Sequence, residues 1–202
     1  MQRYRFFAVV GACLYLSGCV STANVTVNYS PDPARKSPLE TLKPLAVSIS
    51  AEDHRESLER DRVGNRKNGF GGIMAPVQAN DAPTALVREA LKKEFENNGI
   101  QVVDAAAAGK VITAKVRKYW VENKMNVFDI TMASIISADI VVEDSVAKGK
   151  TSSHTITGTA QDSRQIAGES AFEVVLNAAM AEFIQNFSRD PGLLSSLRRA
   201  AP

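Results

Sequence analysis

Beyond residue 19 the 202-residue sequence contains no cysteine, because Cys13 and Cys19 are its only two. The body of the chain therefore forms no internal disulfide and offers neither thiol catalysis nor a cysteine-based zinc site. Histidine is as scarce: His54 and His154 stand 100 positions apart and give no local pair of imidazoles. Aromatic residues make up 6%, too few for a base-stacking surface. An excess of one charge is also missing. The 24 Lys and Arg face 22 Asp and Glu, for a net +2, which leaves no basic surplus for nucleic-acid phosphates. What remains is ordinary for a soluble globular chain, with 45% hydrophobic and 23% charged residues. That balance excludes a collagen-like, coiled-coil or wholly disordered protein.

The first 19 residues read MQRYRFFAVVGACLYLSGC. Arg3 and Arg5 precede an apolar stretch from Phe6 to Leu16. This stretch is shorter than the roughly 20 residues a spanning helix needs and has the charge pattern of a secretory signal. It ends in Leu16-Ser17-Gly18-Cys19, which resembles the lipobox of bacterial lipoprotein precursors. In that chemistry small residues at 17 and 18 admit the backbone to the signal peptidase. The Cys19 thiol accepts a diacylglyceryl group before cleavage on its N-terminal side. Residues 1–18 are thus expected to be a lipoprotein signal peptide. Their loss removes two arginines and no acid, leaving 22 basic and 22 acidic residues. A triacylated Cys19 would hold the chain firmly, since two lipid signals already suffice. Val20 in place of aspartate points, by resemblance to enterobacterial sorting, to the outer membrane.

Residues 19–43 are expected to be the lipidated cysteine and a flexible tether. Pro31, Pro33 and Pro38 fall close together among Ser, Thr and Asn, a composition that does not bury a core. A single α+β domain is expected over residues 44–202. Leu45, Val47 and Ile49 alternate in a first strand, and an edge strand is expected around Ile73 and Met74. Asp81 and Pro83 open a helix over about 82–98, and Gly99 closes it. A short strand follows at Ile100–Val103. From residue 112 the period is two: Ile112, Ala114, Val116 and Trp120 share one face. Phe128, Ile130, Met132, Ile136, Ala138, Ile140 and Val142 line a second long strand. A turn at Ala147–Lys150 leads to a Thr-rich return strand, Thr151–Gln161. A helix over about 169–187 and a short one from Asp190-Pro191 to Arg198-Arg199 complete the chain. The expected order is β-β-α-β-β-β-β-α-α. Alternating polar residues imply a largely antiparallel sheet with one solvated face and helices packed on the other.

No pattern in this sequence assembles a catalytic centre. It lacks G-x-S-x-G and H-E-x-x-H. Gly64–Gly72 is glycine-rich without the spacing of a phosphate-binding loop. The segment Ala51–Arg62, AEDHRESLERDR, gathers five acids and three arginines around His54. Charge of this density reads first as a solvated loop, and neither metal nor cofactor is expected. The connection from 51 to 72 is nevertheless long, and such loops are usually functional or mobile. Within it Asp53 and Arg55 are two residues apart, a spacing that puts both on one side of an extended backbone. The pair is expected either to pin the loop to the sheet edge or to present a charged contact to a partner.

The lipobox at Cys19, the strand Leu45–Ser50, Asp53-His54-Arg55, the helix ending Asn97-Asn98-Gly99-Ile100 and the final helix running into Asp190 together resemble the YajG-like lipoproteins of Gram-negative outer membranes. The resemblance implies location and fold, and no mechanism, because that family has no assigned activity. The expected protein is a membrane-anchored, periplasm-facing, non-enzymatic binding or scaffold protein. It meets the membrane through its N-terminal lipid and takes an envelope protein or cell-wall polymer as partner. The alternative is an accessory subunit of an envelope lipid or solute transport system, and a third reading is an envelope hydrolase.

Overall fold

The computed structural model describes residues 22–145, 150–165 and 168–198. The signal segment, Cys19, Ala147–Gly149 of the expected turn and Arg199 lie outside the described residues. The elements are β1 (Ala23–Val25), β2 (Ala46–Asp53), β3 (Gly64–Lys67), β4 (Ile73–Ala79), α1 (Pro83–Asn97), β5 (Gln101–Val102), β6 (Lys110–Met125), β7 (Ile130–Asp144), β8 (Thr151–Arg164), α2 (Glu169–Arg189) and α3 (Pro191–Arg198). The fold is α+β, with a mixed, mostly antiparallel sheet.

β6 organises that sheet. One of its edges pairs antiparallel with β7 along its whole length, from Lys110 opposite Asp144 to Met125 opposite Ile130. β8 continues the meander beyond β7. The other edge of β6 is shared by two strands, both parallel to it. β2 lies opposite residues 110–116, and β3 lies opposite Val121 and Glu122. β5 extends the sheet from β2, whereas β4 and then β1 extend it from β3.

A β-bulge between Val116 and Lys118 marks the division. One extra residue reverses the alternation of everything after it. Ile112, Ala114 and Val116 are buried before the bulge, and Tyr119 and Val121 after it. Trp120, expected to share a face with Ile112, therefore turns to the other side of the sheet. There the Lys118 ammonium sits 5.4 Å from its ring centroid.

The helices cover one face. Val87, Leu91 and Phe95 of α1 and Leu176, Phe183 and Phe187 of α2 are buried against Ile112, Met132, Ile136 and Ile140 of the sheet. Phe95 and Phe187 meet edge to face, 5.6 Å apart at 82°. α2 approaches β8 so closely that a Cβ on Gly158 would stand 2.2 Å from the Phe183 nitrogen and 2.3 Å from the Ala179 oxygen. Both are helix backbone atoms and cannot rotate away. Gly158→Ala is expected to cost about 3 kcal/mol, the upper end of ordinary overpacking, read as a lowered calorimetric midpoint. A midpoint unchanged from wild type would mean that α2 is not seated on β8. The same helix blunts the exposed edge of β8. Glu182 accepts a hydrogen bond from the Thr159 backbone N–H (2.5 Å), and the Asn186 amide donates to the Thr157 carbonyl (2.8 Å).

Four further expectations need correction. Residues 22–43 are part of the fold rather than a flexible tether. Ala23, Val25, Val27, Leu39 and Leu42 are buried, because Ala23, Val25 and Val27 alternate with polar residues as a strand requires. β1 pairs with β4, and Pro38 opens a single 3-10 turn, Pro38–Leu42, that buries both leucines. The stretch 51–72 is not one long loop. β2 runs on to Asp53 and β3 begins at Gly64, where a Cβ would lie 2.0 Å from the Val121 carbonyl oxygen. β3, reading Gly-Asn-Arg-Lys, carries no apolar alternation, and its place comes from its neighbours on both sides. Phe128 belongs to the turn between β6 and β7 and is 90% exposed. Finally, α1 has Ala82 rather than Asp81 at its N-cap, with no side-chain cap, and relies on Pro83 in its first turn.

Candidate functional site

β2 leaves the edge of β6 opposite Val116, and β3 rejoins that edge opposite Val121. The chain between them, residues 54–63, loops outward over the bulge. The His54 backbone N–H still bonds to the Val116 carbonyl (2.9 Å), and the Val121 N–H to the Val63 carbonyl (2.8 Å). Both feet of the loop are thus fixed on one strand.

Arg55 fills the inside of this loop, with its side chain only 1% exposed. Its guanidinium meets Asp53 as a fork. Nε donates to Asp53 Oδ1 (3.0 Å) and Nη2 to Oδ2 (2.9 Å). The remaining donors reach backbone carbonyls of the loop itself. Nη1 donates to Glu59 O and Arg62 O, both at 3.0 Å, and Nη2 to Arg60 O at 3.2 Å. All five N–H groups of a planar cation are engaged, a pattern that only arginine can supply. The Asp53 carboxyl is held below the usual carboxylate range, first by the Arg55 hydrogen bonds and against the opposing effect of burial. Lys118 beyond the bulge pairs with Glu59 and ties the middle of the loop to β6. Tyr119, buried beneath, has no hydrogen-bond partner for its hydroxyl among the described residues.

The charged surroundings stay on the surface. His54 bonds through Nε2 to Glu52 Oε2 (2.8 Å). His154 is elsewhere, with Nε2 3.0 Å from Ser196 Oγ and Nδ1 3.7 Å from Asp190 Oδ1. Among the described residues no group of three or more His, Cys, Asp or Glu side chains converges as a metal site would require. Beside the loop a shallow cleft of about 320 Å³ is bordered by Asp53, Arg60, Asp61, Gln78 and Asp81. A second cleft of about 230 Å³ lies where the N-terminal segment crosses α1 and α2, near Tyr29, Asp32, Lys36 and Glu94. There the Tyr29 hydroxyl donates to Glu94 Oε2 (2.8 Å). Burial, and then the neighbouring carboxylate, raise the phenol's pKa well above its ordinary value.

The family model of an uncharacterised lipoprotein group, Lipoprotein_16, matches residues 33–198. The chain belongs to this lipoprotein family. The match agrees with the resemblance to the YajG-like lipoproteins. The comparison with curated proteins found no match. Two crystal structures share the lipoprotein's fold. Protein XCC0632 from Xanthomonas campestris, of the DUF330 family, is 14% identical, with 87% of this chain and 99% of that one covered at a TM-score of 0.58. An uncharacterised protein is 11% identical, with 84% and 99% covered at a TM-score of 0.52. At these identities the likeness concerns the fold alone. No helix among the lipoprotein's described residues is long and apolar enough to cross a membrane.

Sequence reasoning singled out Asp53 and Arg55, and the structure brings them into contact. It did not find Lys118, Glu59 or the three carbonyls, which come from backbone curvature that no residue pattern encodes. It also passed over Phe70 and Val127. Their signal was readable: Phe70 sits within Asn68-Gly69-Phe70-Gly71-Gly72, turn chemistry in which a large apolar side chain has no core to enter.

Proposed function

We propose that this lipoprotein is anchored to the outer membrane by lipid on Cys19, faces the periplasm, and serves there as a non-enzymatic binding or scaffold protein for another envelope protein. The anchor is supported by the lipobox, Leu16-Ser17-Gly18-Cys19, in a member of a lipoprotein family. The observation that carries the binding role is the uncovered face of β6, β7 and β8. Both large helices lie on the opposite face, and on this one Arg117 pairs with Asp139 (2.8 Å), which also accepts from Thr155 (2.7 Å). Ser137 and Thr157 add a hydroxyl pair at 3.0 Å. Long strands with mixed charges and hydroxyls make a polar surface that complementary charges on another protein can meet. A sugar polymer is the less fitting partner, because the only tryptophan near this face, Trp120, is half-buried and bonded to Glu122 (3.4 Å). An accessory role in transport would need an apolar groove, and charged side chains stand in the lining of both clefts described above.

Radiolabelled palmitate is expected to enter the wild-type protein and not Cys19→Ser, and equal labelling of both would overturn the anchor. For the binding role, a photo-crosslinking residue at exposed Thr155 in intact cells is expected to give one saturable adduct. Absence of any adduct there would overturn the assignment of that face.

A further inference from the structure

One end of the sheet is apolar where it meets solvent. The turn between β3 and β4 carries Phe70, fully exposed, and β4 opens with Ile73 at 60%. The turn between β6 and β7 carries Val127 at 88% and Phe128 at 90%. β3 and β6 run parallel, so these turns lie at the same end, and a Cβ on Gly69 would sit 3.7 Å from the Met125 sulfur. Met74 and Met125 are exposed beside them. Six large apolar side chains at one end of a globular protein form a patch that asks for a partner.

The register of the sheet says where the N-terminus stands relative to that end. Ala23 is level with Val77, Val77 with Gly64, and Gly64 with Val121. At about 3.3 Å per residue, Met125 at the apolar end is about 13 Å from the level of Ala23, and Lys110 at the other end about 36 Å. Cys19 precedes Ala23 by four residues, whose fully extended reach is about 14 Å. A lipid on Cys19 therefore reaches the level of the apolar end and falls well short of the opposite one. Because β1 is parallel to β4, β1 also begins on the side that faces the two turns.

We propose that the end of the sheet bearing Phe70, Ile73, Val127 and Phe128 docks into the surface of the bilayer that holds the Cys19 lipid. The proposal rests on the lipid-anchor reading above and adds an orientation to it. The two turns enter the headgroup region, the strands rise from the membrane, and the loop of Arg55 and the hairpin end near Lys110 are held away from it. Apolar insertion is the driving force. Glu122 and Asp129 offset two of the three nearby cations Arg66, Lys67 and Lys124, Glu122 by a direct 2.6 Å pair with Lys67. Docking should therefore occur on zwitterionic lipid and change little with salt, unlike attachment through a polybasic patch.

The test uses the mature lipidated protein in phosphatidylcholine vesicles. In a Trp120→Phe background, Phe128→Trp is expected to show blue-shifted emission that brominated phosphatidylcholine quenches. Thr155→Trp, on the open face of β8 opposite Asp139 and so nine residues along from Ile130 at the turn, is expected to emit as in water and to resist quenching. Adding Phe70→Ser and Val127→Ser to the Phe128→Trp chain should return its emission toward that of water while the protein still floats with the vesicles. Flotation with an unquenched, water-like Phe128→Trp signal overturns the docking and leaves the anchor standing. Failure to float overturns both. A non-lipidated chain from Ser21 that dimerises, and becomes monomeric on Phe70→Ser and Phe128→Ser, would assign the patch to a second copy and overturn the proposal.

Discussion

A chain beginning at Pro44 is expected to lose cooperative unfolding, while one beginning at Ser21 retains it. The deleted segment contributes Val25, Val27, Leu39 and Leu42 to the core, along with Ala23. At about 1.5–3 kcal/mol for each fully buried Val or Leu side chain, the loss is comparable to the whole net stability of a domain, about 5–15 kcal/mol. Polar anchors leave as well. The Thr26 N–H no longer bonds to Glu173 Oε1 (2.6 Å), nor Asn28 N–H to Asn177 Oδ1 (2.9 Å), nor Ser37 N–H to Asn98 Oδ1 (2.7 Å). Buried Glu94 loses its Tyr29 partner, and β4 loses the strand that covers its edge. The shortened chain should therefore show exposed apolar surface by dye binding and a broad calorimetric trace. A sharp transition within a few degrees of the longer chain would mean that residues 22–43 only rest on a domain complete without them. This segment also fixes how close the body stands to the lipid, so the same truncation removes the basis of the membrane orientation.

What the sequence reveals follows how local the governing force is. The amphipathic helices were legible because Leu86, Val87, Ala90, Leu91 and Phe95 repeat at the helical period, and because Pro83 and Gly99 bracket them. The long strands were legible because period two persists over β6, β7 and β8. The bulge at Arg117 was not, since one inserted residue leaves composition unchanged and only shifts phase; it moved Trp120 to the open face and Tyr119 into the core. β1 was hidden by its setting, three residues beside a proline-rich stretch. β3 was hidden because Asn65, Arg66 and Lys67 take strand conformation from β4 and β6, a tertiary effect. At the candidate site the spacing of Asp53 and Arg55 was enough to suggest their pairing. The three carbonyls that receive the other donors of Arg55 belong to residues 59, 60 and 62, and no sequence pattern marks where a carbonyl points.

Replacing Arg55 is expected to be the most damaging single change in the loop. Arg55→Met leaves three loop carbonyls and the partly exposed Asp53 carboxylate without their donor, and orphaning such groups costs about 1–3 kcal/mol. Arg55→Lys should rescue little of this, because one ammonium with three donors does not span a carboxylate and three separated carbonyls. The partner-contact reading predicts the reverse: Arg55→Lys would melt like wild type, and only capture of the partner would fall. Acidity gives an independent check through Asp53. Its folded-state pKa is depressed by Arg55, so ionised Asp53 stabilises the fold above the unfolded carboxylate value, about 3.9. That contribution is lost as pH falls through the folded-state value. Asp53→Asn, which stays neutral throughout, should therefore be less stable than wild type at pH 7. The gap should close as pH drops below about 4. Asp61, Glu122 and Asp139 also have lowered pKa values, but they are common to both chains, so the difference between the two melting curves isolates Asp53. A gap that stays constant down to the acid limit would mean that the Asp53 charge contributes nothing to holding the loop. Arg55 would then act through its carbonyl bonds alone.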